Sequence, residues 1–172
     1  MAEKPTTRTR TIEWEDPGPS LQEAIAAKPL DHLRRIIDGE VPAPPMGVLM
    51  NMKGVEISEG RAVISAEPGE EHYNPVGTVH AGLAMTLLDS AMAFAVHSTL
   101  PQGGYFSTLE VKANFVRAIT VDTGRIVCEA NVIHVGRTVG TAEARIQDER
   151  GKLIAHGTST CMLFRPEANG GG

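Results

Sequence analysis

The sequence predicts an α+β fold in which an antiparallel sheet of about six strands wraps around one long central helix. Three observations carry this expectation. Residues 78–100 are a run rich in Ala, Leu and Met and interrupted by few polar residues, long enough for five or six helical turns and too apolar to lie on a surface. Strand-like runs bounded by short turn signals fill the chain on both sides of it. A single apolar helix beside one antiparallel sheet is hidden most simply when the sheet curls around it.

Residues 1–45 read as an N-terminal arm with short helices, residues 46–165 as the main domain and residues 166–172 as a flexible tail. The arm is polar through residue 19 and broken by Pro5, Pro17, Gly18 and Pro19. Ser20-Leu21-Gln22-Glu23 is a capping box that predicts a helix start. Pro29 suits the first turn of a second helix, in which Leu30, Leu33, Ile36 and Ile37 recur at helical spacing and which Gly39 stops. That apolar face packs on the sheet or on a neighbouring subunit. The prolines between Val41 and Pro45 make a stiff linker. Residues 47–57 and 61–67 flank Ser58-Glu59-Gly60 as a hairpin closed by Pro68, and residues 69–77 are loop. After the Pro101-Gln102-Gly103-Gly104 turn come strands over 105–118, 125–135, 138–148 and 152–164. The connections at Asp122-Thr123-Gly124, Gly136-Arg137 and Glu149-Arg150-Gly151 predict that these four pair in order as an antiparallel meander.

A chain of 172 residues has the size of one domain with a real core. Its 16 basic and 21 acidic residues are well mixed, with no Lys/Arg run of the kind that binds nucleic acid. Cys128 and Cys161 lie far apart in strand-like runs, which suggests two buried thiols in a reducing compartment and neither a disulfide nor a metal site. The first ten residues lack the apolar core of a signal peptide, and no run reaches membrane-spanning length. A soluble cytoplasmic protein is expected.

The chemistry concentrates in Asn74-Pro75-Val76-Gly77-Thr78-Val79-His80-Ala81-Gly82, which runs straight into the apolar helix carrying Asp89. A helix start offers unpaired backbone N–H groups that hold an oxyanion. An acid inside an apolar helix must find a partner or do chemistry. Ala81 and Asp89 are eight residues apart, or about 12 Å along a helix, too far to serve one carbonyl. If both act on one substrate, Asp89 comes from a second subunit whose helix lies antiparallel across a two-fold axis. The bland alternative makes Asp89 a buried structural carboxylate. Asn74 holds a carbonyl or a water through its amide, or is an Asn-Pro turn residue. His80, at the helix start, caps it or bonds the loop.

Asn-Pro-x-Gly-x-x-His-x-Gly, followed by an apolar helix with Asp seven residues after the second Gly, resembles the hotdog-fold acyl-CoA thioesterases of the PaaI-like, phenylacetate-pathway type. The family's usual His-Gly-Gly reads His80-Ala81-Gly82 here, and the resemblance spans residues 47–164 by element order. It implies a hotdog fold and hydrolysis of an acyl-CoA thioester to free acid and CoA. Asp89 would be general base or nucleophile, with the Ala81 and Gly82 amides as oxyanion hole and Asn74 on the carbonyl or the water. Ser107 would position the water, in preference to Thr108, which points to the opposite face of the strand. His80, Arg137 and Thr138 would bind substrate, Arg137 through a CoA phosphate. The resemblance also implies no cofactor and no metal, CoA being part of the substrate, and a homodimer with shared active sites assembled into a tetramer as a dimer of dimers. No nucleic-acid or membrane partner is expected.

Two other readings use the same residues. A hotdog dehydratase or hydratase pairs a His with an acid in motifs that His80 and Asp89, nine apart on one helix, do not reproduce. A non-catalytic acyl-CoA-binding protein would keep the pocket without the carboxylate. A Ser-His-Asp triad lacks its Gly-x-Ser-x-Gly elbow. Few aromatics and many Ala and Met suggest an adaptable apolar pocket, with the acyl group unassigned.

Overall fold

The computed structural model describes residues 6–166; residues 1–5 of the expected arm and 167–172 of the expected tail lie outside them. Along the described chain run α1 (Pro17–Ala26), α2 (Pro29–Ile37), α3 (Pro45–Leu49), β1 (Met52–Ser58), β2 (Arg61–Ala66), α4 (Ala81–His97), β3 (Tyr105–Phe115), β4 (Ile126–Val135), β5 (Val139–Asp148) and β6 (Leu153–Phe164). The six strands form one antiparallel sheet in the order β1-β2-β4-β5-β6-β3, which leaves β1 and β3 as its edges.

The helix α4 forms because its Ala, Leu and Met residues favour helix and no Pro interrupts them. Leu83, Leu87, Leu88, Ala91, Met92 and Ala95 recur at three- and four-residue steps and are buried against the sheet. Facing them are Ile64 of β2, Ile126 and Cys128 of β4, Ile146 of β5, and Ile154 and Cys161 of β6. Burial alternates along β5, where Gly140, Ala142, Ala144 and Ile146 face inward, so period two in the strand meets period 3.6 in the helix. This is the sheet-around-helix packing that the composition of α4 demands.

The predicted four-stranded meander is corrected. β3 pairs with β6, from Tyr105↔Phe164 to Phe115↔Ala155, while β4 pairs with β2 and β5, so only β4-β5-β6 run as a meander. The turn signal at Asp122-Thr123-Gly124 belongs to a longer crossing. Val116 and Arg117 donate their N–H groups to Ile154 O at 2.9 and 3.2 Å, and Ile119 O accepts from Val79 N at 2.9 Å. These bonds carry the chain across the start of α4 to the other side of the sheet.

The N-terminal boundaries also move. α1 starts at Pro17, capped by the Asp16 carboxylate, which accepts from Gly18 N at 2.9 Å, rather than at the Ser20 box. The strand expected from residue 47 starts at Met52, because Pro45 at the first helical position commits residues 45–49 to α3. α2 buries Leu30 and Leu33 and seats Ile37 on β1 at Gly54, where a Cβ would come within 2.5 Å of Ile37 Cγ1. Glu23 of α1 pairs with Arg35 of α2, which also bonds Glu40 at 3.0 Å. The arm is tied to the loop ahead of α4 by Arg8–Glu70 and by Arg10–Glu71 at 2.8 Å. Among the described residues no helix is long and apolar enough to cross a membrane.

Candidate active site

The Asn74 loop is built by its own side chain. Tyr73 and Val79 pair as an isolated bridge, and Asn74 N donates to Thr78 O at 2.7 Å. Asn74 Oδ1 accepts from Val76 N at 3.0 Å and Thr78 N at 3.2 Å, and its Nδ2 donates to Thr78 Oγ1 at 2.9 Å. Gly77 takes φ +80°, which a residue with a side chain rarely adopts. Asn74 is therefore the staple of the loop. An amide nitrogen carries two hydrogens, so one remains beyond the Thr78 bond.

His80 caps α4. Its Nδ1 accepts from Gly82 N at 2.8 Å, its carbonyl from Leu83 N at 3.0 Å, and its own N–H donates to His72 O at 2.7 Å. An accepting Nδ1 places the ring proton on Nε2. A Cβ at residue 82 would lie 2.8 Å from His80 Nδ1, so the cap needs Gly there. The expected pair of oxyanion donors is corrected at this point: the Gly82 N–H is occupied by His80, whereas Ala81 N–H has no partner among the described residues. Asn74 and Ala81 line one groove of about 300 Å³ with Phe115 and Arg117. Arg117 donates Nε–H to Leu153 O at 3.3 Å and brings a cation to this groove.

Asp89 lies two turns further along α4, half-buried, and outside that groove. Its Oδ1 accepts from Thr108 Oγ1 at 3.0 Å. Within one protomer the hydroxyl that meets Asp89 is that of Thr108 and not that of Ser107, the residue expected to position the water. Phe106 and Thr108 are on the half-buried side of β3, whereas Ser107 is exposed. A register shift between Thr108 and Glu110 then leaves Leu109 exposed beside it. Opposite Thr108 on β6 is Cys161. Burial pushes its thiol above the ordinary value, Ser159 and Thr108 oppose this, and the negative Asp89 adds to it, so it stands as a neutral neighbour rather than a nucleophile.

Arg137 and Thr138 are exposed in the β4–β5 turn. Gly140, two residues on, lies against the far end of α4, where a Cβ would be 3.0 Å from Val96 Cγ1. Val96 is fifteen residues from Ala81, about 22 Å along the helix axis. Within one protomer the fold therefore does not bring Arg137 and Thr138 to the Asn74–Ala81 groove.

Residues 76–155 match the Thioesterase superfamily. The chain is 27% identical over 109 residues to 1,4-dihydroxy-2-naphthoyl-CoA hydrolase of Listeria monocytogenes, covering 63% of this chain and 85% of that protein. It is 28% identical over 117 residues to human acyl-coenzyme A thioesterase 13, covering 67% of this chain and 82% of the relative. A variant of the phenylacetic acid degradation protein PaaI from Thermus thermophilus superposes with a TM-score of 0.63 at 27% identity, covering 72% of this chain and 100% of that one. The motif entering an apolar central helix, the wrapped antiparallel sheet and these relatives agree: the chain has the hotdog fold and carries a domain that matches the Thioesterase superfamily, with PaaI-type thioesterases among its structural neighbours.

Proposed function

We propose that the chain hydrolyses acyl-CoA thioesters to a free acid and CoA in active sites shared between two protomers. The observation that carries this reading is the division of α4. A free Ala81 N–H beside Asn74 marks its start, and a carboxylate held by Thr108 sits about 12 Å further on. The Ala81 N–H, aided by the α4 dipole, and the spare Asn74 amide hydrogen would receive the thioester oxygen. Asp89 of the second protomer would take a proton from the water that attacks the carbonyl carbon, or would itself attack to give an anhydride that water then opens. Collapse of the oxyanion expels the CoA thiolate, which leaves protonated as the free thiol.

The unpaired edge of β3 and the half-buried α4 face of Met85, Thr86, Asp89 and Ser90 support a two-fold partner. Antiparallel α4 helices would also carry the Arg137–Thr138 turn of one protomer toward the Asn74 end of the other, where Arg117 already supplies a cation for CoA phosphates. Water is the only co-reactant this chemistry requires. The relatives named as an acyl-CoA thioesterase and a naphthoyl-CoA hydrolase support the reaction class.

The test is release of free thiol from a panel of acyl-CoAs. Asp89→Asn is expected to lower kcat by about 10²–10⁴-fold with circular dichroism unchanged. Full activity in that variant contradicts the proposal.

A further inference from the structure

We propose that the N-terminal segment builds the acyl-chain site, and that this site takes an unsubstituted apolar acyl group of medium length. The inference rests on the thioesterase reading above. A cavity of about 290 Å³ lies between the N-terminal elements and α4, close to the smallest ligand pockets in size. Its walls are Ile36 and Ile37 of α2, Met46 and Gly47 of α3, and Ser90 and Phe94 of α4.

Three features point to an acyl chain as occupant. Ser90 follows Asp89 directly, so a thioester whose carbonyl meets the carboxylate has its acyl chain beside the cavity. Ser90 and Phe94 are one turn apart, on the face of α4 that the sheet leaves half-buried. Apart from the Phe94 ring and the Ser90 hydroxyl, which sits at the end next to Asp89, the lining side chains are aliphatic or thioether; the Lys53 stem also lines the wall, from an exposed residue whose head belongs in solvent.

The segment that supplies two of these walls precedes the sheet, which begins only at Met52. α2 is fixed in place, with Ile37 seated on Gly54 and Leu30 and Leu33 buried. A preformed apolar wall of this kind discriminates by length, because each methylene that enters is worth about a fourfold gain in kcat/KM until the cavity is full.

The experiment compares butyryl-CoA with octanoyl-CoA on the wild type, on Gly47→Leu and on Ala43→Phe. A Cβ at Gly47 has only Met52 O near it, at 3.9 Å, so the new side chain has room to enter the cavity. Ala43 also lines the cavity but is exposed, so its replacement spares the core if the first variant folds poorly. The octanoyl-to-butyryl ratio of kcat/KM is expected to fall at least about tenfold in each variant. Calorimetry with non-hydrolysable octyl-CoA and ethyl-CoA thioethers reads the same preference without turnover: the wild type binds the octyl compound more tightly and the variants lose the difference. Normal hydrolysis with an unchanged length profile overturns the acyl-site proposal and leaves the thioesterase reading standing. Octyl preference without hydrolysis of any acyl-CoA does the reverse, and equal binding of both thioethers by the wild type overturns the acyl site outright.

Discussion

Thr108 on β3 donates its hydroxyl to Oδ1 of Asp89 on α4 at 3.0 Å, the one side-chain hydrogen bond that carboxylate makes among the described residues. The bond orients the carboxylate and leaves Oδ2 without a side-chain partner among the described residues; in the proposed mechanism that oxygen meets the water. Removing the hydroxyl while keeping the shape, as in Thr108→Val, is expected to lower kcat about 10–100-fold with little change in KM, matching the loss of one hydrogen bond to a charged group. Thr108→Ser retains the donor and most of the activity. Steady-state rates of CoA release for the pair check this, and equal losses in both variants would assign Thr108 to packing alone.

The His80 cap makes a separate prediction about stability. Gly82→Ala drives a Cβ against His80 Nδ1 and displaces the ring, so α4 loses its cap at a cost of about 1 kcal/mol. A thermal midpoint lowered by roughly 2–4 °C is expected for a chain of this size. Pairing Gly82→Ala with His80→Ser supplies a smaller capping side chain and should recover most of the loss. No recovery would mean that the glycine is required for another reason.

Both cysteines are expected to be inert. Burial pushes the Cys128 thiol up to about 12, with Glu129 adding to it, and burial raises Cys161. At pH 8 neither forms the thiolate that alkylating reagents attack. Mass spectrometry after iodoacetamide treatment should show an unmodified native protein and two adducts after denaturation. Rapid native labelling would contradict the burial of these strands.

His97 should make the fold acid-sensitive. Burial lowers it below the ordinary 6.5, the Gly104 carbonyl 3.3 Å from Nε2 opposes this, and the nearby His32 adds to the lowering. Below about 6.5 the unfolded chain therefore binds more protons than the native one, and stability falls as the pH drops from there toward the lowered native value. Urea unfolding at pH 7.5, 6.0 and 5.0 should show a shallower acid loss for His97→Gln than for the wild type. Identical slopes would remove His97 from the cause.

The central helix and the first hairpin were legible because each rests on a local period: apolar residues at helical steps in α4, and turn residues at 58–60 between β1 and β2. The sheet order was not, because Gly124 marks a turn whether the next strand folds back on its neighbour or crosses to β2. At the site, alternation sends Ser107 and Thr108 to opposite faces but does not say which face is inside; the packing of α4 against β3, with Asp89 meeting Thr108, decides that. The occupied Gly82 N–H follows from where the His80 ring turns, a choice no spacing encodes. The meeting of α2 and α3 with Ser90 and Phe94 depends on a long-range seat at Gly54 that reads in sequence as an ordinary strand glycine.

The central claim is that each site takes Ala81 from one protomer and Asp89 from the other, and mixing two inactive variants tests it most directly. Ala81→Pro removes only the N–H, since proline suits the first position of a helix, and Asp89→Asn removes the base. Each variant alone is expected to be nearly inactive. Co-refolded in equal amounts, they should recover about a quarter of the wild-type rate, because half the dimers are mixed and each mixed dimer carries one intact site. A mixture no more active than its components would place both groups in one chain's site and contradict the account.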